Sequence, residues 1–277
     1  MSASVVLTGA TGGIGEAIAR GLVARGARVI LVARSAESVA RLARELERTV
    51  QRPGSVTALA VDVTHPDGRA AVLTCAAAAR CDTLINNAAI PSFGELETLD
   101  PDHIDAVIAT DLLAPIQLTR ALLPVLAARE RATVLNVGSA LGRIGLPGFS
   151  VYGAAKFGLR GFSEALRREL AGGPVRVMHL APRTTRTAFN DARVDAYNRA
   201  TGTRSDPPEQ VARAALAMLD GGPAERFLGF PEWLAVRLNG LAPLLLDGAF
   251  RGHRAAVRAA RPRTPEPPAS IPLEITE

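Results

Sequence analysis

A short apolar run, Ser4–Thr8, leads straight into Thr8-Gly9-Ala10-Thr11-Gly12-Gly13-Ile14-Gly15 and then into the helical pattern Ala17–Arg25. A strand, a glycine-rich turn and a helix in this order predict the opening unit of a mononucleotide-binding α/β domain. Glycines let the backbone approach a pyrophosphate closely, and the helix N-terminus offers free N–H groups and a positive dipole to it. A glycine-rich turn alone can be no more than a tight turn, so its place between strand and helix carries the reading.

The alternation continues. Arg28–Ala33, Val56–Val61, Thr83–Ile85, Thr133–Val137, Val175–Leu180 and residues 226–230 read as strands. Helices are expected over Ser35–Val50, after Pro66, from an Asp100 cap to about Arg129, over Ser150–Leu170 and from Pro208. Pro115 should kink or interrupt the helix that opens at Asp100. Alternating strands and helices predict a Rossmann-type, doubly wound parallel sheet of about seven strands with helices on both faces. No linker or repeat divides residues 1–230, which are expected to form one domain.

Bulk properties narrow the function. Of 277 residues, 48% are hydrophobic and 21% charged, a globular balance. The net charge is +5, but the arginines alternate with acids, as in Arg41–Arg48, and only 4% of residues are aromatic. A nucleic-acid binder should show a basic stripe or stacking aromatics, so no nucleic-acid partner is expected. Cys75 and Cys81 lack a ligand cluster around them, so neither a metal site nor a disulfide is expected, and a reducing cytoplasm fits best. The first residues show no charged n-region or cleavage site, so no secretion signal is expected, and no uninterrupted apolar run reaches the length of a membrane span.

The strongest chemical signal is Tyr152-Gly-Ala-Ala-Lys156. The chain has 32 basic residues and only one of them, Lys156, is lysine. Where charge alone sufficed the chain carries arginine; position 156 calls for a compact ammonium on a flexible stem. Tyrosine is nearly as scarce, with only Tyr152 and Tyr197, and four-residue spacing places Tyr152 and Lys156 on one helix face. An adjacent ammonium favours the phenolate and should lower the phenol's pKa, poising it to exchange a proton with a carbonyl or alcohol oxygen.

Other candidates lie at strand ends, where open parallel sheets bind ligands. No acidic residue closes the second strand to hold a ribose 2′-hydroxyl. Arg34 stands there instead and argues for a 2′-phosphate, hence NADP over NAD, unless it is a surface arginine opening the next helix. Asp62-Val63 closes the third strand, where the carboxylate could accept from an adenine amino group or cap the segment after Pro66. Asn86-Asn87-Ala88-Ala89 follows the fourth strand and Gly138-Ser139 the fifth.

These pieces, in order, resemble the single-domain branch of the short-chain dehydrogenase/reductases over about residues 3–230. The resemblance implies that Tyr152 donates a proton to a carbonyl, with Lys156 lowering the Tyr152 pKa and holding the nicotinamide ribose. It also implies that Ser139 steadies the substrate oxygen. Thr8, Gly9, Thr11, Gly13, Ile14, Gly15, Arg34, Asp62, Val63, Asn87, Ala88, Pro182 and Thr187 would join Tyr152 and Lys156 in holding NADP(H). A small-molecule carbonyl or alcohol, apolar and of the 3-oxoacyl, steroid-like or other ketone type, would be the substrate. Pairing of the Asp100–Arg129 and Ser150–Leu170 helices would make a homodimer or homotetramer. Three departures matter: Asp111 stands where the family has Asn, leaving its catalytic part open; Ala89 replaces the glycine that ends Asn-Asn-Ala-Gly; and Arg183 replaces a glycine, to contact the cofactor or guard the substrate mouth. The rival is an NADP(H)-binding redox sensor or scaffold with little turnover, which only Asp111 favours.

Residues 184–204 are polar enough to predict a surface flap over the substrate. Beyond residue 230, an apolar and arginine-rich stretch to residue 261 is expected to be helical. Packing on the core or at a dimer interface, a lid over an apolar substrate, and a peripheral membrane contact with Arg251, Arg254, Arg258 and Arg261 facing anionic lipid all remain open. The proline-rich composition of residues 262–277 predicts a disordered tail. His65, His103, His179 and His253 show no ligand spacing and are expected to be satisfied or on the surface.

Overall fold

The computed structural model describes residues 3–229, 239, 240, 244 and 247–260. Seven parallel strands form one sheet in the order β3-β2-β1-β4-β5-β6-β7: β1 Ser4–Thr8, β2 Arg28–Ala33, β3 Val56–Ala60, β4 Thr83–Asn86, β5 Ala132–Val137, β6 Val175–Ala181 and β7 Glu225–Phe227. The expected doubly wound sheet is present. Its order reverses between β1 and β4, which places the crevice for a ligand at their carboxyl ends.

Two cores follow from the pleat. Val5 and Leu7 point to one face and Val6 to the other, as the two-residue strand period demands. The first face is covered by α1 Gly13–Ala24, α2 Ala36–Val50 and α8 Pro208–Leu219. In α2 the buried positions Val39, Leu42, Ala43 and Leu46 recur at helical spacing, and the Ser35 hydroxyl caps the helix by accepting from Ser38 N at 3.2 Å. The second face carries α3 Pro66–Ala78 and α5 Ala114–Ala127, whose Leu118, Leu122 and Leu126 pack on β4 and β5.

The fourth expected helix is an unbroken run with a change of winding inside it. α4 Pro101–Ile108, capped by Asp100, passes through a π-helical segment, Ala109–Leu113, into α5. Pro115 has no N–H with which to bond the Asp111 carbonyl four residues back, and the chain takes up this defect by widening the preceding turn. Pro101–Ala127 is also long and apolar enough to cross a membrane by length and composition. A search for uninterrupted apolar runs misses it because Asp111 and Arg120 interrupt the run, and its leucine stripe is part of the core.

α6 Ser150–Glu169 follows β5, with residues 184–204 and α8 beyond β6. Residues 184–204, expected as a polar surface flap, are mostly exposed or half-buried and border the cavity, but they are more ordered than a loop. They contain α7 Ala192–Thr201, and its Val194, Tyr197 and Asn198 are buried. The last strand is Glu225–Phe227; Leu228 and Gly229, expected within it, lie beyond its end, and residue 230 is outside the described residues. Residues 231–238 and 261–277, including Arg261 and the expected tail, lie outside the described residues. From the extension the structure describes a 3-10 turn at Asp247–Phe250 and α9 Arg251–Ala259, whose Ala256 and Val257 are buried against Phe93, Phe149 and Tyr197.

Candidate active site

The glycine-rich turn is built by close approach. A Cβ on Gly15 would lie 2.1 Å from the Gly9 carbonyl oxygen, and one on Gly9 (φ +62°) 2.7 Å from Ala88 Cα. Only glycine allows the turn to close on the β4 loop at these positions. The Thr8 hydroxyl accepts from the backbone N–H groups of Asn87 and Ala88 at 3.0 and 3.1 Å, and Asn87 Nδ2 donates to the Thr8 and Gly9 carbonyls at 3.1 and 3.0 Å. Thr8 and Asn87 therefore hold the shape of the cleft with their side chains. α1 begins at Gly12 with no side-chain cap, so its first N–H groups are open to an anion. Thr187 stands over Gly13, where an added Cβ would meet Thr187 Cγ2 at 2.4 Å.

Arg34 is exposed at the end of β2, on the rim of the same cavity. Asp62, at the end of β3, accepts from the Thr64 N–H and hydroxyl at 2.8 and 2.7 Å. Burial opposes ionisation of Asp62, but these two bonds and the charges of Arg34 and His65 hold its carboxyl below the usual range. It does not cap α3, whose N-cap position is His65. An uncapped helix start and a glycine cradle fit the pyrophosphate of a nicotinamide dinucleotide.

The reactive group lies across β5 and α6. Asn86 Nδ2 donates to Asn136 Oδ1 at 2.8 Å, and Asn136 Nδ2 donates to the Ser163 hydroxyl at 2.8 Å, so buried amides tie β4, β5 and α6 together. Sequence reading saw Asn86 only as a loop residue; its neighbour across the sheet gives it this role. On α6, Lys156 Nζ lies 5.3 Å from the Tyr152 ring centroid. Ser139, at the end of β5, accepts from Leu141 N at 3.1 Å, and its hydroxyl acts to lower the pKa of the Tyr152 phenol.

Asp111 completes the group from below. Its Oδ1 accepts from Ile90 N at 2.8 Å, and its Oδ2 lies 3.1 Å from Lys156 Nζ. Burial pushes the Asp111 carboxyl above the carboxylate range, against the pull of Lys156. Burial likewise opposes the Lys156 charge, yet Asp111 and Tyr152 raise its pKa above the ordinary lysine value. Lys156 acts on the Tyr152 pKa in the expected direction, but its pull does not prevail. Lys156 and Ser139 do pull it down, but burial and the Asp111 carboxylate together leave it above the ordinary phenol value.

One cavity of about 730 Å³ collects these parts. Thr8, Gly9, Thr11, Gly13, Ile14, Gly15, Arg34, Asp62, Val63, Asn87, Ala88, Pro182 and Thr187 all line it, and so do Ser139, Tyr152 and Lys156. Asp111 is the exception: it is buried behind Lys156 and lines no part of it. Arg183 also lines the cavity, and Asp206 holds its guanidinium in two contacts of 3.0 and 2.7 Å.

His253 is satisfied, as expected, whereas His179 departs from expectation. His253 lines the cavity, and its Nδ1 lies 2.6 Å from the Tyr197 hydroxyl. His179, on β6, is buried with neither ring nitrogen hydrogen-bonded among the described residues. Burial, then the charges of Arg160, Lys156 and Arg143, push its pKa down to about 3, so it is neutral. No spacing in the sequence signals either role, since both depend on which elements meet in space.

A doubly wound sheet whose strand ends bring a glycine cradle and a Ser–Tyr–Lys group to one cavity defines a nicotinamide-dinucleotide oxidoreductase. The chain belongs to the short-chain dehydrogenase/reductase family: the family model for short chain dehydrogenases matches residues 3–198. It is 34% identical over 256 residues to dehydrogenase/reductase SDR family member 7B of Bos taurus, covering 87% of this chain and 78% of that one. Identity is also 34% over 227 residues to the NADP-dependent 3-hydroxy acid dehydrogenase of Schizosaccharomyces pombe, covering 78% and 86%. Among solved structures, a short-chain dehydrogenase from Sphingobium yanoikuyae in complex with NADPH aligns with a TM-score of 0.75 and 27% identity, over 96% of this chain and 99% of that one.

Proposed function

We propose that the protein is an NADP(H)-dependent reductase of apolar carbonyl compounds, working through Ser139, Tyr152 and Lys156. The observation that carries this reading is the convergence of those three side chains on the cavity that also holds the glycine cradle and Arg34. When bound, a reduced nicotinamide supplies the hydride. Ser139 directs its hydroxyl to the substrate oxygen and steadies its developing charge. Tyr152 gives that oxygen its phenolic proton, which its raised pKa keeps in place at neutral pH. Lys156 holds positive charge beside the departing proton, and Asp111 acts as a positioning residue that keeps the ammonium in place.

The preference for NADP(H) rests on Arg34, and the names of the Schizosaccharomyces pombe and Sphingobium relatives agree with it. The apolar substrate rests on the lining beyond Tyr152, which includes Phe93, Ile144, Leu146, Phe149 and Phe189. Pairing into a homodimer or homotetramer would cover Leu113 and Phe157, apolar side chains exposed on the π-helical segment and α6. The buried apolar side of α9 supports packing on the domain over a membrane contact for that helix. The test is consumption of NADPH and of NADH by the purified protein with a panel of apolar ketones. Ketone-dependent loss of nucleotide absorbance, faster with NADPH, is expected; none with any ketone or alcohol favours a scaffold.

A further inference from the structure

Part of the cavity wall comes from a segment outside the family-matched residues 3–198. Phe250 and His253, from the 3-10 turn and α9, line it together with Tyr197 of α7. The segment is seated, not draped. Phe93, Phe149 and Tyr197 form an aromatic triangle with ring centroids 4.9, 5.3 and 5.4 Å apart, against which Ala256 and Val257 pack. Gly148 (φ +83°) makes room for the helix: a Cβ there would lie 2.7 Å from Val257 Cγ2 and 2.9 Å from Phe93 Cε2. The Tyr197–His253 hydrogen bond fastens the first turn of α9, and Arg258 reaches Glu95 at 3.5 Å.

The chemistry of this wall is aromatic and uncharged. Burial lowers the pKa of His253, so its ring is neutral at pH 7. Among the described residues lining the cavity, the cations are Arg34, Lys156 and Arg183. Lys156 is paired with Asp111 and Arg183 with Asp206, while Arg34 stands at the end of β2, beside the cradle. A carboxylate or phosphate carried to the aromatic wall would lose its hydration with no counter-charge to meet it. A flat apolar ring would stack there.

We propose that Phe250 and His253 are specificity-determining residues, and that the wall they form with Tyr197 selects a neutral ketone with an aromatic or alicyclic body against anionic carbonyl compounds. The inference rests on the carbonyl-reductase reading only for the reaction; the wall itself is testable by binding.

Calorimetry on the full chain with 4-methylacetophenone and with 4-carboxyacetophenone, each in the presence of saturating NADP+, separates the two. The neutral ketone is expected to bind at least about tenfold more tightly. Phe250→Ala should weaken its binding several-fold, and His253→Arg should narrow the gap by strengthening the carboxylate. Because either variant could unseat α9, thermal melts of both accompany the titrations, and the wild-type comparison stands without them. Equal or tighter binding of the carboxylate, or no binding of either ketone, overturns the proposal. Selective binding with no NADPH-linked turnover keeps the wall and sinks the reductase reading instead.

Discussion

Asp111 Oδ2 lies 3.1 Å from Lys156 Nζ, and both side chains are buried, so the chain's only lysine is half of an ion pair enclosed beneath the reactive tyrosine. The carboxylate is anchored at its other oxygen by Ile90 N. It comes from the widened turn that Pro115 imposes, so a backbone defect and a charge substitution meet at one residue. The pair cancels much of the field that an isolated ammonium would exert on Tyr152, which explains why burial prevails and the phenol is pushed up.

Replacing that carboxylate with an amide should therefore move the pH dependence of catalysis. In Asp111→Asn the Tyr152 pKa falls, because a group that raises it is gone while Lys156 still lowers it. Reduction needs the protonated phenol, so the alkaline limb of its pH–rate profile should shift to lower pH. A limb that stays in place in the variant contradicts the assigned coupling.

Asp111→Ala should be more costly to the fold than to nucleotide binding. It leaves the Lys156 ammonium buried without its partner, a loss of about 3 kcal/mol or more for a broken buried pair. Urea unfolding measures it. A change below about 1 kcal/mol would mean that water or backbone already satisfies Lys156.

His179 predicts acid sensitivity. Its folded pKa of about 3 is below the ordinary 6.5, so the unfolded chain takes up a proton that the folded chain refuses. Stability from this residue is present above 6.5 and is lost as the pH falls towards 3, at about 1.4 kcal/mol per pH unit. Between pH 7.5 and 5, His179→Leu should lose about 2 kcal/mol less stability than the wild type in urea titrations. Equal losses would remove His179 from the acid response.

Arg34→Asp should reverse the nucleotide preference. A carboxylate at the end of β2 repels a 2′-phosphate and can accept from a 2′-hydroxyl. NADPH affinity should drop by about tenfold or more, with NADH binding held or improved, as read from nucleotide fluorescence. Equal binding of both nucleotides by the wild type would remove Arg34 from this role.

Much of this molecule was legible in the sequence because its parallel strands are continuous apolar runs and its helices carry caps and glycine stops. Ser35 before α2 and Asp100-Pro101 before α4 are local signals that need no tertiary context. The cavity lining was legible for a similar reason: apart from Tyr152 and Lys156, which their spacing marks on α6, the expected residues stand in the glycine turn or follow the carboxyl end of a strand. What escaped depends on contacts between distant segments. The Asn86–Asn136–Ser163 tie spans three elements, and Tyr197 meets His253 across 56 residues. Polar residues on α7 suggested a surface flap because its buried face is narrow: only Val194, Tyr197 and Asn198 turn inward. The sign of the Tyr152 shift was missed since it is a balance of burial against two opposite charges, and spacing reveals only one of them.

The most direct test of the central claim is Tyr152→Phe, measured for both nucleotide binding and turnover. The phenol's proton is the one thing removed, and the ring, the cradle and Arg34 remain. NADPH affinity should stay within about twofold, while ketone reduction should fall by about a hundredfold or more, the usual contribution of a positioned acid. Turnover that survives the substitution would contradict proton transfer by Tyr152 and the mechanism built on it.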